Sequence, residues 1–247
     1  MLKHHKIISF CAGLIFLIVL QKFATPVPIF RFLLPAFLVY AAALATYNYY
    51  YLKQLDKYNF WTVLRSVMLL LSLFGVFLVL PTANLRGLML IVSVVLIIFF
   101  EILISSAAEN ILLVETLLIA FGLFCTAFGF YFDAPGYGPY YLLVVFFSAF
   151  LLARSFFEFV PKPDKVKLVS AIAIGLFCSE LYWVLNFLQF HFSVLALILF
   201  NIFYFSLIAS YYQFYHILNF KKIKFHLFLM SACVVVVLIT TPWNIIQ

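Results

Sequence analysis

An all-α, polytopic transmembrane helical bundle is the fold class this sequence predicts, and three observations predict it. Of 247 residues, 68% are hydrophobic and only 9% are charged, whereas a soluble domain holds roughly 45–50% apolar and about 25% charged residues. The mean hydropathy is +1.20. The apolar residues form continuous runs of about 20, the length a helix needs to cross a hydrocarbon core about 30 Å thick. Runs that are continuous and not alternating exclude a β-barrel.

Proline, glycine and charge clusters divide the chain into nine expected helices, with no soluble domain and a single integral-membrane domain over residues 1–247. The first, Ile7–Phe23, follows the basic segment Lys3–Lys6. It reads as uncleaved, because a cut after Ala24 would put Lys22 where a signal peptidase wants a small residue. Phe10 before Cys11 spoils a lipoprotein signal. Ile29–Tyr50 starts after Pro28 and ends before Lys53. Trp61–Leu80 is closed by Pro81, and Gly87–Ser105 follows. Asn110–Phe132 comes after the short segment Ser105–Asn110. Pro139–Val160 ends at Pro161, and Leu168–Phe190 begins beyond Lys162, Lys165 and Lys167. Phe192–Leu218 and His226–Ile245 flank the third basic cluster, Lys221, Lys222 and Lys224.

The distribution of bases orients this bundle. With the N-terminus in the cytoplasm, the inner ends carry twelve bases: Lys3, Lys6, Lys53, Lys57, Arg65, Arg154, Lys162, Lys165, Lys167, Lys221, Lys222 and Lys224. The outer ends carry only Lys22, Arg31 and Arg86. The expectation is a multi-pass protein of a bacterial cytoplasmic membrane, N-terminus inside and C-terminus outside. The net charge of +7 then reports orientation. It does not indicate nucleic acid, for which a basic stripe with interleaved aromatics is missing. The partners expected are the lipid bilayer and other membrane subunits.

Motif chemistry is sparse. HExxH, GxSxG, paired aspartates and a P-loop are absent. The four cysteines lie singly within apolar runs and read as small hydrophobes. His216 and His226 flank an inner loop at similar depth, but interfacial histidines are common and no metal or other cofactor is expected.

Polar residues inside the apolar runs are the candidate binding residues, since each charge in hydrocarbon costs about 2.5 kcal/mol or more. Glu180 is the deepest, twelve residues beyond Leu168. It is expected to face the bundle interior and to bond Asn201 or Tyr204 of the eighth helix. Ala171, Gly175 and Ser179 form a small-residue stripe that invites close helix approach. Gly122/Thr126 and Cys125/Gly129 repeat the device in the fifth helix. Glu101 and Glu115 lie symmetrically about Ala108, so a helical hairpin would bring them to one depth, with Arg65 or Arg154 as counter-charge. Arg154 and Glu158 form an i,i+4 pair.

Three functions are compatible with this pattern. The leading one is a non-enzymatic membrane component, a subunit or accessory of a larger assembly or a lipid-embedded scaffold, which suits short loops and absent motifs. The second is a small transporter or channel using Glu180, Asn201 and the inner acidic group. The third is an intramembrane enzyme acting on a lipid or lipid-linked substrate through Glu101, Glu115 and Arg154.

Overall fold

The computed structural model describes residues 2–23, 30–55, 59–104, 109–188, 190–216 and 220–240. Among them are nine α-helices: α1 Leu2–Phe23, α2 Phe30–Gln54, α3 Phe60–Val79, α4 Ala83–Leu103, α5 Glu109–Asp133, α6 Gly138–Phe157, α7 Asp164–Leu185, α8 Phe192–Phe214 and α9 Phe220–Thr240. A single 3-10 turn, Pro135–Tyr137, precedes α6. Every expected helix has a counterpart. The seventh is displaced, starting at Asp164 and ending at Leu185, and the ninth starts at Phe220, before the expected His226, so that Lys221, Lys222 and Lys224 lie within α9. The expected end of the ninth at Ile245 and the turn at Ala108 lie outside the described residues.

Among the described residues six helices, α3 to α8, are long and apolar enough to cross a membrane. That is fewer than the nine runs of the sequence. In α1 and α9 the apolar stretches among the described residues, Ile7–Phe16 and Ile223–Val235, are shorter than a span.

Helix ends follow local chemistry. Asn59 caps α3 by accepting the Trp61 N–H at 2.8 Å, and Thr82 accepts the Leu85 N–H to cap α4. Pro139 occupies the first turn of α6, where the missing N–H is no loss. His216 follows α8 with φ 55°, a left-handed residue at the position where glycine usually ends a helix.

The chain packs as two compact units, Met1–Glu115 and Thr116–Gln247. In the first, α1 lies along α4, with Gly13 directly under Ile98. The Tyr40 hydroxyl donates to the Ala12 carbonyl at 2.9 Å, and Phe37 stacks on Phe74 at 4.3 Å. These contacts join α1, α2 and α3. In the second unit α6 and α7 form the closest pair. Ala171, Gly175 and Ser179 are all buried. A Cβ at Gly175 would stand 3.1 Å from the Phe146 carbonyl oxygen and 3.1 Å from Phe150 Cβ. The small stripe therefore does what its spacing predicts: two backbones meet where side chains are missing. In α5, Gly122, Cys125 and Gly129 are buried, and Thr126 turns its hydroxyl onto the Gly122 carbonyl. Phe124 of α5 meets Phe203 of α8 edge to face. The Tyr182 hydroxyl of α7 donates to the Ala127 carbonyl of α5 at 3.1 Å.

Candidate functional site

In the first unit, α2, α3, α4 and the start of α5 enclose a polar cluster. Asn48, Arg65, Ser66, Glu101 and Glu115 are all buried there. Asn48 Nδ2 donates to Glu101 Oε1 at 3.1 Å, and Ser66 lies beside the same carboxylate. Arg65 Nε stands 3.4 Å from Glu115 Oε2, with Arg65 only 1% exposed. The two carboxylates differ in their partners: neutral donors face Glu101, and a guanidinium faces Glu115. The expectation that Glu101, Glu115 and one arginine gather is met within this unit, and the arginine is Arg65. Asn48 carries no sequence signal that marks it as a donor to a carboxylate. Only the packing of α2 on α4 reveals it.

Arg154 belongs to a different cluster, in the second unit. Its guanidinium bonds Glu158 Oε2 at 2.5 Å and Asp164 Oδ1 at 3.3 Å. Lys167 Nζ reaches Asp164 at 3.9 Å and donates to the Glu158 carbonyl at 3.2 Å. Two bases and two acids thus clasp the turn between α6 and α7. The Arg154/Glu158 spacing was legible, but the return of Asp164 and Lys167 depended on the turn around Pro161 and Pro163.

The pairing expected for Glu180 does not form. Glu180 is exposed on α7 and takes no hydrogen bond or ion pair among the described residues. The reason is angular. At about 100° per residue, Glu180 lies about 140° around the helix from Gly175. The Gly175 face is pressed on α6, so Glu180 points outward. The displaced register also places it five residues before the end of α7, so it is nearer that end than the sequence suggested. Asn201 is buried and bonds within its own helix, donating to the Leu197 carbonyl at 2.8 Å. Tyr204 pairs with His226 Nδ1 at 2.7 Å, and Tyr212 takes the other ring nitrogen at 3.1 Å. Both nitrogens of His226 are therefore engaged by hydroxyls. No cluster suited to a metal ion occurs among the described residues.

The candidate residues thus separate: Glu101, Glu115 and Arg65 in the first unit, and in the second Arg154 in a turn, Asn201 on its own helix, Tyr204 on a histidine and Glu180 outward. No curated protein and no solved structure matches the chain. A family model does match, over residues 116–241, beginning where the second unit begins. With that match the chain belongs to the family described as "Protein of unknown function (DUF5656)".

Proposed function

We propose that this chain is a non-enzymatic, multi-pass membrane protein that serves as a subunit of a larger assembly, and that the outer face of α7 meets its partner. The observation that carries the reading is Glu180. It sits on a helix long and apolar enough to span a membrane, within an exposed stripe that includes Ile172, Leu176, Trp183 and Val184. Lipid chains offer a carboxylate nothing, and intramembrane charges as a rule pair with another protein group or face a cavity. A partner helix presenting a donor or a base would supply what the described residues do not. The stripe lies within the stretch that matches the family.

The transport and lipid-enzyme alternatives draw less support. Asn201 is turned onto its own helix, Arg154 is held by two acids, and Glu101 and Glu115 each face a partner in a closed cluster. For topology we infer nine crossings in a bacterial cytoplasmic membrane, with the N-terminus inside and the C-terminus outside. The twelve-to-three division of bases supports this.

Two experiments test the reading. Photocrosslinking amino acids at Leu176 and Trp183, in cells, should give a discrete protein adduct that Glu180→Leu abolishes without lowering the unfolding temperature of the purified chain. Adducts to lipid alone, or a protein adduct indifferent to Glu180→Leu, would remove the subunit reading. Cysteines at Lys165 and Lys222 should be labelled only from the cytoplasmic side, and labelling from outside would overturn the orientation.

A further inference from the structure

In the second unit α7 and α9 each pack on α8, and a groove of about 610 Å3 stays open between them. None of its lining residues belongs to the stripe around Glu180. Ile174 and Phe177 of α7 form one wall, Ile202 and Phe205 of α8 the floor, and Met230 of α9 the other wall. Ser206, midway along the floor, spends its hydroxyl on the Ile202 carbonyl at 2.9 Å. The remaining polar groups gather at one end, where Ser170 of α7 lies with Ser210 and Gln213 of α8. Gln213 stands next to the end of α8, and Ile202 is about 16 Å further along the helix. The groove is therefore polar at its mouth and apolar along its length. Its volume falls in the range of roughly 300–1,000 Å3 typical of small-molecule sites.

The side chains at the mouth are unspent, and the charge around them is basic. Ser170, Ser210 and Gln213 make no side-chain hydrogen bond among the described residues. Lys162 Nζ lies 3.1 Å from His216 Nε2, and the His216 backbone N–H donates to the Gln213 carbonyl at 3.1 Å. Lys162 therefore stands beside the last turn of α8. Arg154 and Lys167 are matched by Glu158 and Asp164, whereas Lys162, Lys165 and Lys224 take no ion pair among the described residues. Both α7 and α9 begin at this end, so two helix N-termini add partial positive charge. Uncompensated bases beside a polar mouth, with an apolar groove behind it, match a molecule that has an anionic head and an apolar chain.

We propose that this groove holds one acyl chain of an anionic phospholipid, the second chain remaining in the bilayer. The chain lies against Ile174, Phe177, Ile202 and Phe205. The phosphate accepts from the Ser170 and Ser210 hydroxyls and the Gln213 amide, with Lys162 beside it as counter-charge. Lys165 and Lys224 strengthen the field that draws an anionic head to this end. A zwitterionic head brings its own cation and gains less from unpaired lysines. Free phosphate leaves the apolar length unused. A partner helix fills the groove but does not account for the basic mouth.

The test uses the full chain in a non-ionic detergent and a phosphatidylglycerol that carries a diazirine in one acyl chain. Adducts should map to α7 and α8 along the groove, and unlabelled phosphatidylglycerol should suppress them. Phosphatidylcholine and inorganic phosphate should each compete at least about tenfold less well. A lysine close to an anionic lipid is worth about fivefold in binding, so the combined Lys162→Gln, Lys165→Gln and Lys224→Gln variant should bring phosphatidylglycerol down to the level of phosphatidylcholine. Ala173 is exposed at the groove, and Ala173→Trp should fill it and abolish labelling while the unfolding temperature is kept. Adducts only elsewhere, equal competition by phosphatidylcholine or inorganic phosphate, or an undiminished preference in the lysine variant would overturn the proposal. So would a photoreactive residue at Ala209 that captures a protein in cells and no lipid. Should Ala173→Trp fail to fold, the competitor series and the lysine variant still decide.

Discussion

Gly175 offers the sharpest test of how α6 and α7 are held together. An added Cβ would lie 3.1 Å from the Phe146 carbonyl oxygen, 3.1 Å from Phe150 Cβ and 3.2 Å from Phe146 Cδ2. The first two atoms cannot rotate away: one is backbone, and the other is the root of a side chain. The helices must separate by a few tenths of an ångström. Gly175→Ala gains up to about 1 kcal/mol of helix propensity, which offsets part of this. Gly175→Val adds two more carbons to the same contact, and overpacking of that kind costs about 1–3 kcal/mol. In a chain of this size 1 kcal/mol moves Tm by about 2–4 °C, so Gly175→Val should lower Tm by several degrees in a detergent unfolding assay. Gly87 is the control. A Cβ there meets nothing within 4 Å, and Gly87→Ala should leave Tm unchanged or raise it. A Gly175→Val chain as stable as the unaltered one would refute the close-packed contact.

Other substitutions probe the polar groups. Arg65→Met leaves Glu115 buried without its guanidinium and should cost about 3–5 kcal/mol, whereas Arg65→Met with Glu115→Met together should recover much of that. Equal unfolding losses in the single and double variants would contradict the buried pair. Glu180→Leu removes an exposed charge from an apolar stripe and should leave the stability of the purified chain unchanged or improved, and a loss above about 1 kcal/mol would point to a partner inside the chain. His216→Gly relieves a left-handed backbone and should stabilise by about 0.5–1 kcal/mol. The contact it removes, Lys162 Nζ to His216 Nε2, is exposed and of little weight. Unchanged or reduced stability would show that His216 holds more than the helix end.

Helix count, order and most boundaries were legible in the sequence because apolar runs and prolines act locally. The small stripe of α7 was legible for the same reason: spacing alone predicts a close approach. Of the nine apolar runs read as spans, six meet the length and hydropathy of a span among the described residues. The gathering of Glu101, Glu115 and Arg65 followed from hairpin symmetry, but Asn48 comes from an element 53 residues earlier and required the tertiary packing of α2. Glu180 failed for a geometric reason. Sequence gave its angle to the small stripe but not which neighbour would occupy the remaining faces of α7. A cavity of about 470 Å3 at the end of α5, the start of α6 and the end of α7 had no sequence signal at all, since it arises where three helix ends fail to fill a shared space.

These observations on α7 are linked by its rotation. Ala171, Gly175 and Ser179 face α6, and Tyr182 reaches α5. Leu176, Glu180 and Trp183 are exposed, and Asn186 closes the helix at the cavity. Turning the helix by one residue, about 100°, would bring Glu180 to the position of Ser179, a buried place on the α6 side where a serine now fits. The packing of α6 on α7 therefore keeps the carboxylate outside, and the two features should respond together. If Gly175→Val rotates α7 to relieve its contact, photocrosslinkers placed at successive α7 positions in that variant should shift their pattern by a fraction of a turn, and the Glu180-dependent adduct should weaken. If Gly175→Val lowers stability with the pattern unmoved, the helices separate without rotating and Glu180 keeps its place. Only an unchanged pattern with unchanged stability would break the connection between the small stripe and the exposed carboxylate.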